Sequence, residues 1–211
     1  VIATSAAQAQ AVLRDSSHFQ WFVIPLLLLV IYAYGEQAAA KRWGVVLGGI
    51  AFWLMDWVNE IWNGLFFHFS GFAPVWGTPG SSAYVILIGL NIEITFMFAI
   101  MGLFAVRTLP ADRTLRIFGI NNRWLFACVN SVLCVIVEVW LNRIGALTWE
   151  WRGWNAGAPF LIWLVGYLPF FLVAYWVHDM ASIKRQIATV GTLAGVVALA
   201  LGIFGGAFGW I

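Results

Sequence analysis

The chain has 211 residues, 63% of them hydrophobic and only 9% charged, with a net charge of +2 and a mean hydropathy of +0.89. Soluble domains carry roughly 25% charged residues, so a soluble domain is excluded, and so small a net charge gives no basis for nucleic-acid binding. The two cysteines, Cys128 and Cys134, fall on one predicted helix and point roughly 240° apart, which excludes a bridge between them and a CxxC metal site.

Residues 1–18 are rich in Ala and Gln. They lack a basic stretch ahead of an apolar one, which is unlike a signal peptide, and are expected to form an extramembrane N-terminal segment. Residues 19–211 are expected to form a single transmembrane helical domain. Six apolar runs are long enough, or nearly so, to cross a bilayer: 19–35, 43–67, 83–106, 117–141, 158–178 and 187–211. Lipid requires every backbone polar group to be paired within the protein, and Gly and Ala inside the runs do not fit the alternating strands of a barrel. The expected fold is therefore all-α, a polytopic transmembrane helix bundle of six spans, or seven if 107–141 is divided.

Basic residues gather in alternate loops: Lys41 and Arg42; Arg107, Arg113 and Arg116; Lys184 and Arg185. Loop 68–82 has none, and 142–157 has Arg143 and Arg152 offset by Glu150. The positive-inside rule places the first set in the cytoplasm and both chain ends outside.

The second run carries the most informative residues. Asp56, Asn59, Glu60 and Asn63 follow i, i+3, i+4, i+7 spacing and share one helix face. Asp56 is expected about 20 Å from the cytoplasmic end of its span, with Glu60 one turn further. Ionisable side chains at that depth are costly and mark working sites. Two carboxylates one turn apart do not both ionise cheaply there, so one of them is expected to hold a proton. The bland account, interhelical hydrogen bonds that fix packing, suits Asn59 and Asn63 better than the two acids.

In the third run Asn91 and Glu93 are two residues apart and face nearly opposite ways. Glu93 is the one expected to turn toward the acids, about 15 Å below the outer end of its span. Glu138 falls near the outer end of the fourth. Glu60-Ile-Trp-Asn63 is echoed by Glu138-Val-Trp-Leu-Asn142, and each is followed by an aromatic loop containing Gly and Pro. Both loops are expected to cover the mouth of one acidic cavity. Pro169, in the fifth run, should kink its helix and free a carbonyl. Asp179, beside His178, falls at the cytoplasmic end of that run, where a helix-end anchor is the simpler reading.

The chain has 14 Trp and 17 Phe. Interface belts account for Trp21, Trp43, Trp76, Trp124 and Trp149 but not for Trp53, Trp57 and Trp163, which fall inside spans. Aromatic faces stabilise cations by about 0.5–2 kcal/mol each. An acid-lined cavity walled by Trp53, Trp57, Trp62 and Trp163 would suit a lipophilic substrate that passes through a carbocation. Asn59, Asn63 and His68 would complete the binding residues. No cofactor is expected; the alternative is a single metal ion on Asp56, Glu60, His68 and Glu93. No mid-span Lys, phosphate loop or Ser nucleophile elbow is present.

With an acid in an aromatic and Asn-rich setting on an early span (WVNEIWN) and a late acid (Asp179), the chain resembles the integral-membrane terpene cyclases of meroterpenoid pathways. The resemblance covers size, span pattern and this short motif. It implies a helical bundle in which a carboxylic acid protonates an epoxide or alkene of a prenylated substrate and the cation is quenched by deprotonation. Glu60 would match the early acid and Asp179 the late one, whereas Glu93 and Glu138 have no counterpart. Sterol-isomerase-like membrane proteins are a more distant likeness.

The resulting expectation is a membrane enzyme that cyclises or isomerises an isoprenoid, with Asp56 and Glu60 as the acid pair, Glu60 as donor, and Glu93 or Glu138 receiving the proton. Its partners would be a lipophilic small molecule and membrane lipids, with further subunits or self-association admitted, in the cytoplasmic membrane of a prokaryote. The alternatives are a proton-coupled transporter or channel subunit, and a non-catalytic or metal-binding subunit of a larger membrane complex.

Overall fold

The apolar runs become helices, and capping asparagines set where two of them begin. The computed structural model describes residues 1–17, 19–80 and 82–211; position 18, where the N-terminal segment is expected to end, and position 81 of loop 68–82 lie outside these. A short helix α1 (Thr4–Ala11) is followed by α2 (Val23–Ala39) and α3 (Trp43–Ser70). A small hairpin of β1 (Val85–Leu87) and β2 (Leu90–Asn91) leads into α4 (Ile92–Arg107). A second hairpin, β3 (Arg116–Ile117) with β4 (Ile120–Asn121), leads into α5 (Asn122–Arg143). A π-helical stretch, Ile162–Tyr167, continues as α6 (Leu168–His178), and α7 (Ile183–Ala200) ends in a second π stretch, Leu201–Ala207.

The two hairpins are built alike. Each ends in an Asn whose Oδ1 accepts a backbone N–H of the following helix, Asn91 from Ile94 (2.8 Å) and Asn121 from Arg123 (2.9 Å). An Asn cap satisfies a helix-end donor that no backbone group reaches. This is why α4 starts at Ile92, several residues after the apolar run itself does. Glu93 is consequently in the first turn of α4, at a helix end and not deep in a span as its place in the run suggests.

The centre of the bundle is α3, which packs on α4, α6 and α7, while α2 lies against α4 and α5 against α6. Small residues allow the closest approaches. A Cβ on Gly102 would meet the Phe52 Cβ at 2.6 Å and the Gly49 carbonyl at 2.9 Å, so α3 and α4 touch through their backbones. Around that contact Phe52, fully buried, packs on Phe98, Phe170 and Phe171 with ring centroids 4.8–6.0 Å apart.

Helices Trp43–Ser70, Asn122–Arg143 and Ile183–Ala207 are long and apolar enough to cross a membrane, and Val23–Ala39 and Ile162–His178 are shorter apolar helices. Only 11% of the most apolar stretch of Ile183–Ala207 is buried in the protein. Side chains such as Ile31, Phe104, Ile136, Trp176 and Leu199 point outward. Such surfaces are stable where hydrocarbon covers them; the protein is an all-α, multi-spanning integral membrane protein.

The turn after α2, the loop after α4 and the turn after α6 meet at one end of the bundle. Arg123 on α5 forms a bidentate ion pair with Asp179 (2.7 and 2.9 Å), and Arg113 donates to the Asp179 carbonyl. In the loop after α4, the Thr114 hydroxyl and backbone N–H bond the Asp112 carboxylate, which they hold below the usual carboxylate range. At the opposite end α1 buries Ala6 and Ala9 against Phe67, Ala73 and Ile88, and the N–H of Arg14 bonds the Val85 carbonyl.

Candidate functional site

The polar face expected on α3 exists. Asp56 and Glu60 are each 3% exposed, Asn63 is fully buried and Asn59 half-buried. What makes the face a site is the chain beyond each acid-bearing helix, which folds back down onto the acids.

Asn63 performs the first fold-back. Its Oδ1 accepts the N–H groups of Val75 (2.7 Å) and Trp76 (3.3 Å), and its Nδ2 donates to the Trp76 carbonyl (2.8 Å). Trp76 is thereby fixed with its indole N–H donating to Glu60 Oε1 at 2.8 Å. Gly89, in the turn between β1 and β2, leaves the room: a Cβ there would lie 2.5 Å from Trp76 Nε1 and 2.6 Å from Asn63 Nδ2.

The second half repeats the device. Asn142 Nδ2 donates to the Leu147 carbonyl (3.0 Å), and Glu138 Oε1 accepts the indoles of Trp149 (3.1 Å) and Trp154 (3.4 Å). The Tyr167 phenol is a further side-chain hydrogen-bond partner of Glu138. Trp76 lies sixteen residues beyond Glu60, and Trp154 sixteen beyond Glu138. The two loops join where Gly77 and Thr148 exchange backbone hydrogen bonds (3.1 and 2.9 Å), and Trp76 stacks on Trp154 with centroids 5.3 Å apart. The expectation that both loops roof one cavity thus corresponds to a paired lid of two indoles.

Beneath this lid is a small cavity of about 50 Å³ whose walls include Asp56, Asn59, Glu60, Glu138, Phe98 and Tyr167. Glu60 is within electrostatic range of both Asp56 and Glu138. Asp56 Oδ2 and Glu60 Oε2 are buried and have no hydrogen-bond partner among the described residues. A buried carboxylate oxygen without a partner costs about 1–3 kcal/mol or more. Glu138 differs, since its side chain meets three donors. The arrangement can give a proton from one side and accept one at the other, in a chamber walled by aromatic faces.

The segment ahead of Pro169, where a kink is expected, supplies another wall. A proline cannot bond the carbonyl four residues before it, here that of Val165. Asn59 Nδ2 takes that carbonyl (3.1 Å) and reaches Gly166 O (3.4 Å). The π stretch Ile162–Tyr167 absorbs the irregularity and brings Gly166 and Tyr167 to the cavity.

Other residues singled out from the sequence lie elsewhere. Glu93 accepts Ser82 Oγ (2.6 Å) and Ala83 N (2.8 Å), and so pins the loop before α4 away from the acids. Asp179 is held by Arg123 at the far end of α6. His68 is exposed and stacks on Trp210 (4.8 Å). The four side chains weighed as a metal site are therefore not gathered, and among the described residues no three His, Cys, Asp or Glu side chains are grouped to hold a metal.

The expected tryptophan walls are displaced as well. Trp53 donates to Thr95 Oγ1 (2.8 Å) between α3 and α4, with Trp57 edge-on against it. Trp62 is 40% exposed, and Trp163 packs near Phe160. A residue next to Asp56 on a helix points about 100° away from it, which takes Trp57 off the acid face. The aromatic walls are instead Trp76, Trp154, Phe98, Tyr167 and Phe170. In the sequence Trp76 reads as an interface anchor, and nothing local marks Trp154 or Tyr167. The signal for the two tryptophans is their common sixteen-residue spacing from an acid.

The profile of a family described as an uncharacterized membrane protein family matches residues 3–206. A protein of Archaeoglobus fulgidus is 54% identical over 207 residues, covering 98% of both chains. A second protein from that organism is 55% identical over 53 residues, which is 95% of its length and 25% of this chain. Both are described only as uncharacterized proteins. No solved structure matches the chain. With nearly its whole length matched, the chain belongs to this uncharacterized membrane protein family.

Proposed function

We propose that the protein is a membrane enzyme that cyclises or isomerises an acyclic isoprenoid by protonating a carbon–carbon double bond. The observation that carries this reading is the pair of buried carboxylate oxygens, Asp56 Oδ2 and Glu60 Oε2, left without a hydrogen-bond partner among the described residues, on two acids that line a chamber with aromatic walls.

In this reading Asp56 and Glu60 hold one proton between them, and Glu60 donates it. The O–H bond breaks as the substrate π electrons form a C–H bond, leaving a tertiary cation that the faces of Trp76, Trp154 and Phe98 stabilise. An internal double bond closes the ring, or a hydrogen shifts. A proton from the adjacent carbon then goes to the Glu138 carboxylate, whose electron pair forms the new O–H bond. The product is an isomer of the substrate, and the proton returns from Glu138 to the Asp56–Glu60 pair. No oxidant or reductant is needed. The likeness to membrane terpene cyclases supports this reading through Glu60; Asp179, engaged with Arg123, is given no part in it.

The same reading takes α2 to α7 as six spans, with the basic end in the cytoplasm of a prokaryotic cell and the indole lid outside. A proton-coupled transporter or a passive subunit would use the acids differently. The lid of Trp76 and Trp154, closed by backbone pairing, speaks for a reaction chamber over a path across the membrane.

The test is turnover of a panel of prenylated alcohols and quinone precursors by the purified protein in lipid nanodiscs. Glu60→Gln and Asp56→Asn are each expected to lower product formation at least about 100-fold, the range of general-acid catalysis. Unchanged turnover in Glu60→Gln overturns the assignment. Proton flux in liposomes that depends on Asp56 would move it to transport.

A further inference from the structure

Between α4 and α5 the bundle is open to its lipid-facing side. A groove with a cavity volume of about 240 Å³ runs there, floored by Phe171 of α6 and edged by Met101 and Phe104 of α4 and Leu133 and Val137 of α5. Its rim faces outward, with Phe104 66% and Leu133 55% exposed. Met97, Phe98, Leu141, Glu138 and Tyr167 line both this groove and the acid chamber, so the two spaces adjoin at these five side chains.

The proportions select a ligand. The chamber, at about 50 Å³, is well below the roughly 150 Å³ that accommodates benzene, so the slender end of a chain reaches the acids, a headgroup does not, and a ring closed there would extend into the groove. Along α4 the groove extends from Met97 to Thr108, about 16 Å at about 1.5 Å per residue, or about three extended isoprene units. Glu138 is the one carboxylate in its lining. Thr108 marks the far end, one residue beyond Arg107, where polar groups of a ligand would meet the basic end of the bundle.

We infer that this groove binds the hydrocarbon chain of an acyclic prenyl lipid of about three isoprene units, admitted sideways from the bilayer, with its terminal double bond beneath the indole lid and its polar end toward Thr108. The inference rests on the proposed protonation of an alkene for the choice of a prenyl over a saturated chain. A saturated acyl end offers Glu60 no π electrons, whereas a terminal trisubstituted alkene takes the proton to give a tertiary cation. Entry from the side also accounts for a lid that is tied shut by paired loops.

The test uses a farnesol analogue carrying a diazirine on its terminal isoprene unit, irradiated with the wild-type protein in phosphatidylcholine nanodiscs and mapped by peptide mass spectrometry. Labelling is expected on Met97, Phe98 and Tyr167, reduced at least about 10-fold by excess farnesol but not by oleic acid. Val137→Trp, which fills the groove, should reduce labelling by a similar factor. Val132→Trp, on the outward face of α5, should leave it unchanged. Label spread over the lipid-facing residues of α7, or equal competition by oleic acid, would overturn the inference in favour of ordinary lipid contact. If labelling follows the groove but no prenyl substrate is turned over, the groove assignment stands and the catalytic reading falls. Turnover that survives Val137→Trp, with no label in the groove, overturns the groove and leaves the acid chamber as the site of reaction.

Discussion

Asp56 and Glu60 carry the cost of the site, and neighbouring residues keep them where that cost has a use. Asn63 is fully buried and commits three hydrogen bonds to the backbone of Val75 and Trp76, so it positions Trp76, and its side chain is also a neighbour of Glu60. Gly89 is the most sensitive point of this arrangement. Gly89→Ala places a Cβ 2.5 Å from Trp76 Nε1, and overpacking of this kind costs about 1–3 kcal/mol. Thermal unfolding in detergent should register that loss. Tryptophan fluorescence should also shift as Trp76 leaves Glu60, while the distant Gly191→Ala, inside α7 with nothing within 4 Å of an added Cβ, should bring neither a loss of stability nor a fluorescence shift. The acid face itself is legible in the sequence because i, i+3, i+4, i+7 spacing is a local property of a helix. Glu93 reads equally well as a buried acid, and Asp179 as a helix-end anchor, yet the place of each depends on Ser82 and Arg123, partners that no local pattern identifies.

Within the elements, the irregular helix before α6 is the informative one. Pro169 removes a backbone donor, Val165 loses its partner, and Asn59 from α3 restores it. The proline, the π stretch and the asparagine therefore form one unit spread over two helices. Asn59→Ala should leave the Val165 carbonyl unpaired and cost about 1–3 kcal/mol. Adding Pro169→Ala supplies an N–H at the right place, so the double variant should recover part of that loss; simple additivity in a thermal-unfolding cycle would show the two to be independent. The freed carbonyl is legible from Pro169 alone, but its partner is not. Asn59 precedes it by more than a hundred residues, and only the packing of α3 on the fifth apolar segment brings them together.

For the molecule as a whole, the two ends are fastened differently. The acid end is roofed by pairing of the loops after α3 and α5, and the basic end is tied by Arg123 and Asp179, whose side chains are 12% and 22% exposed. Arg123→Ala and Asp179→Ala should each lower stability, with a coupling between them of about 1–3 kcal/mol in a double-mutant cycle. Turnover per folded molecule should be retained in both, because the pair lies at the opposite end of α6 from Tyr167. A loss of turnover in Asp179→Ala without a loss of stability would return that acid to the reaction. Composition and periodicity alone determined that this is a helical membrane protein with an acidic face on α3 and a second acid on α5, since apolar length and helical spacing are local and lipid leaves few other folds. The tertiary structure alone decided which acids meet, that Trp76 and Trp154 come down over the chamber, and that α4 and α5 part beside it to leave a lipid-facing groove. Those outcomes depend on contacts between residues far apart in the chain, such as Gly77 with Thr148 and Asn59 with Val165, and side-chain chemistry does not encode them until the helices are packed.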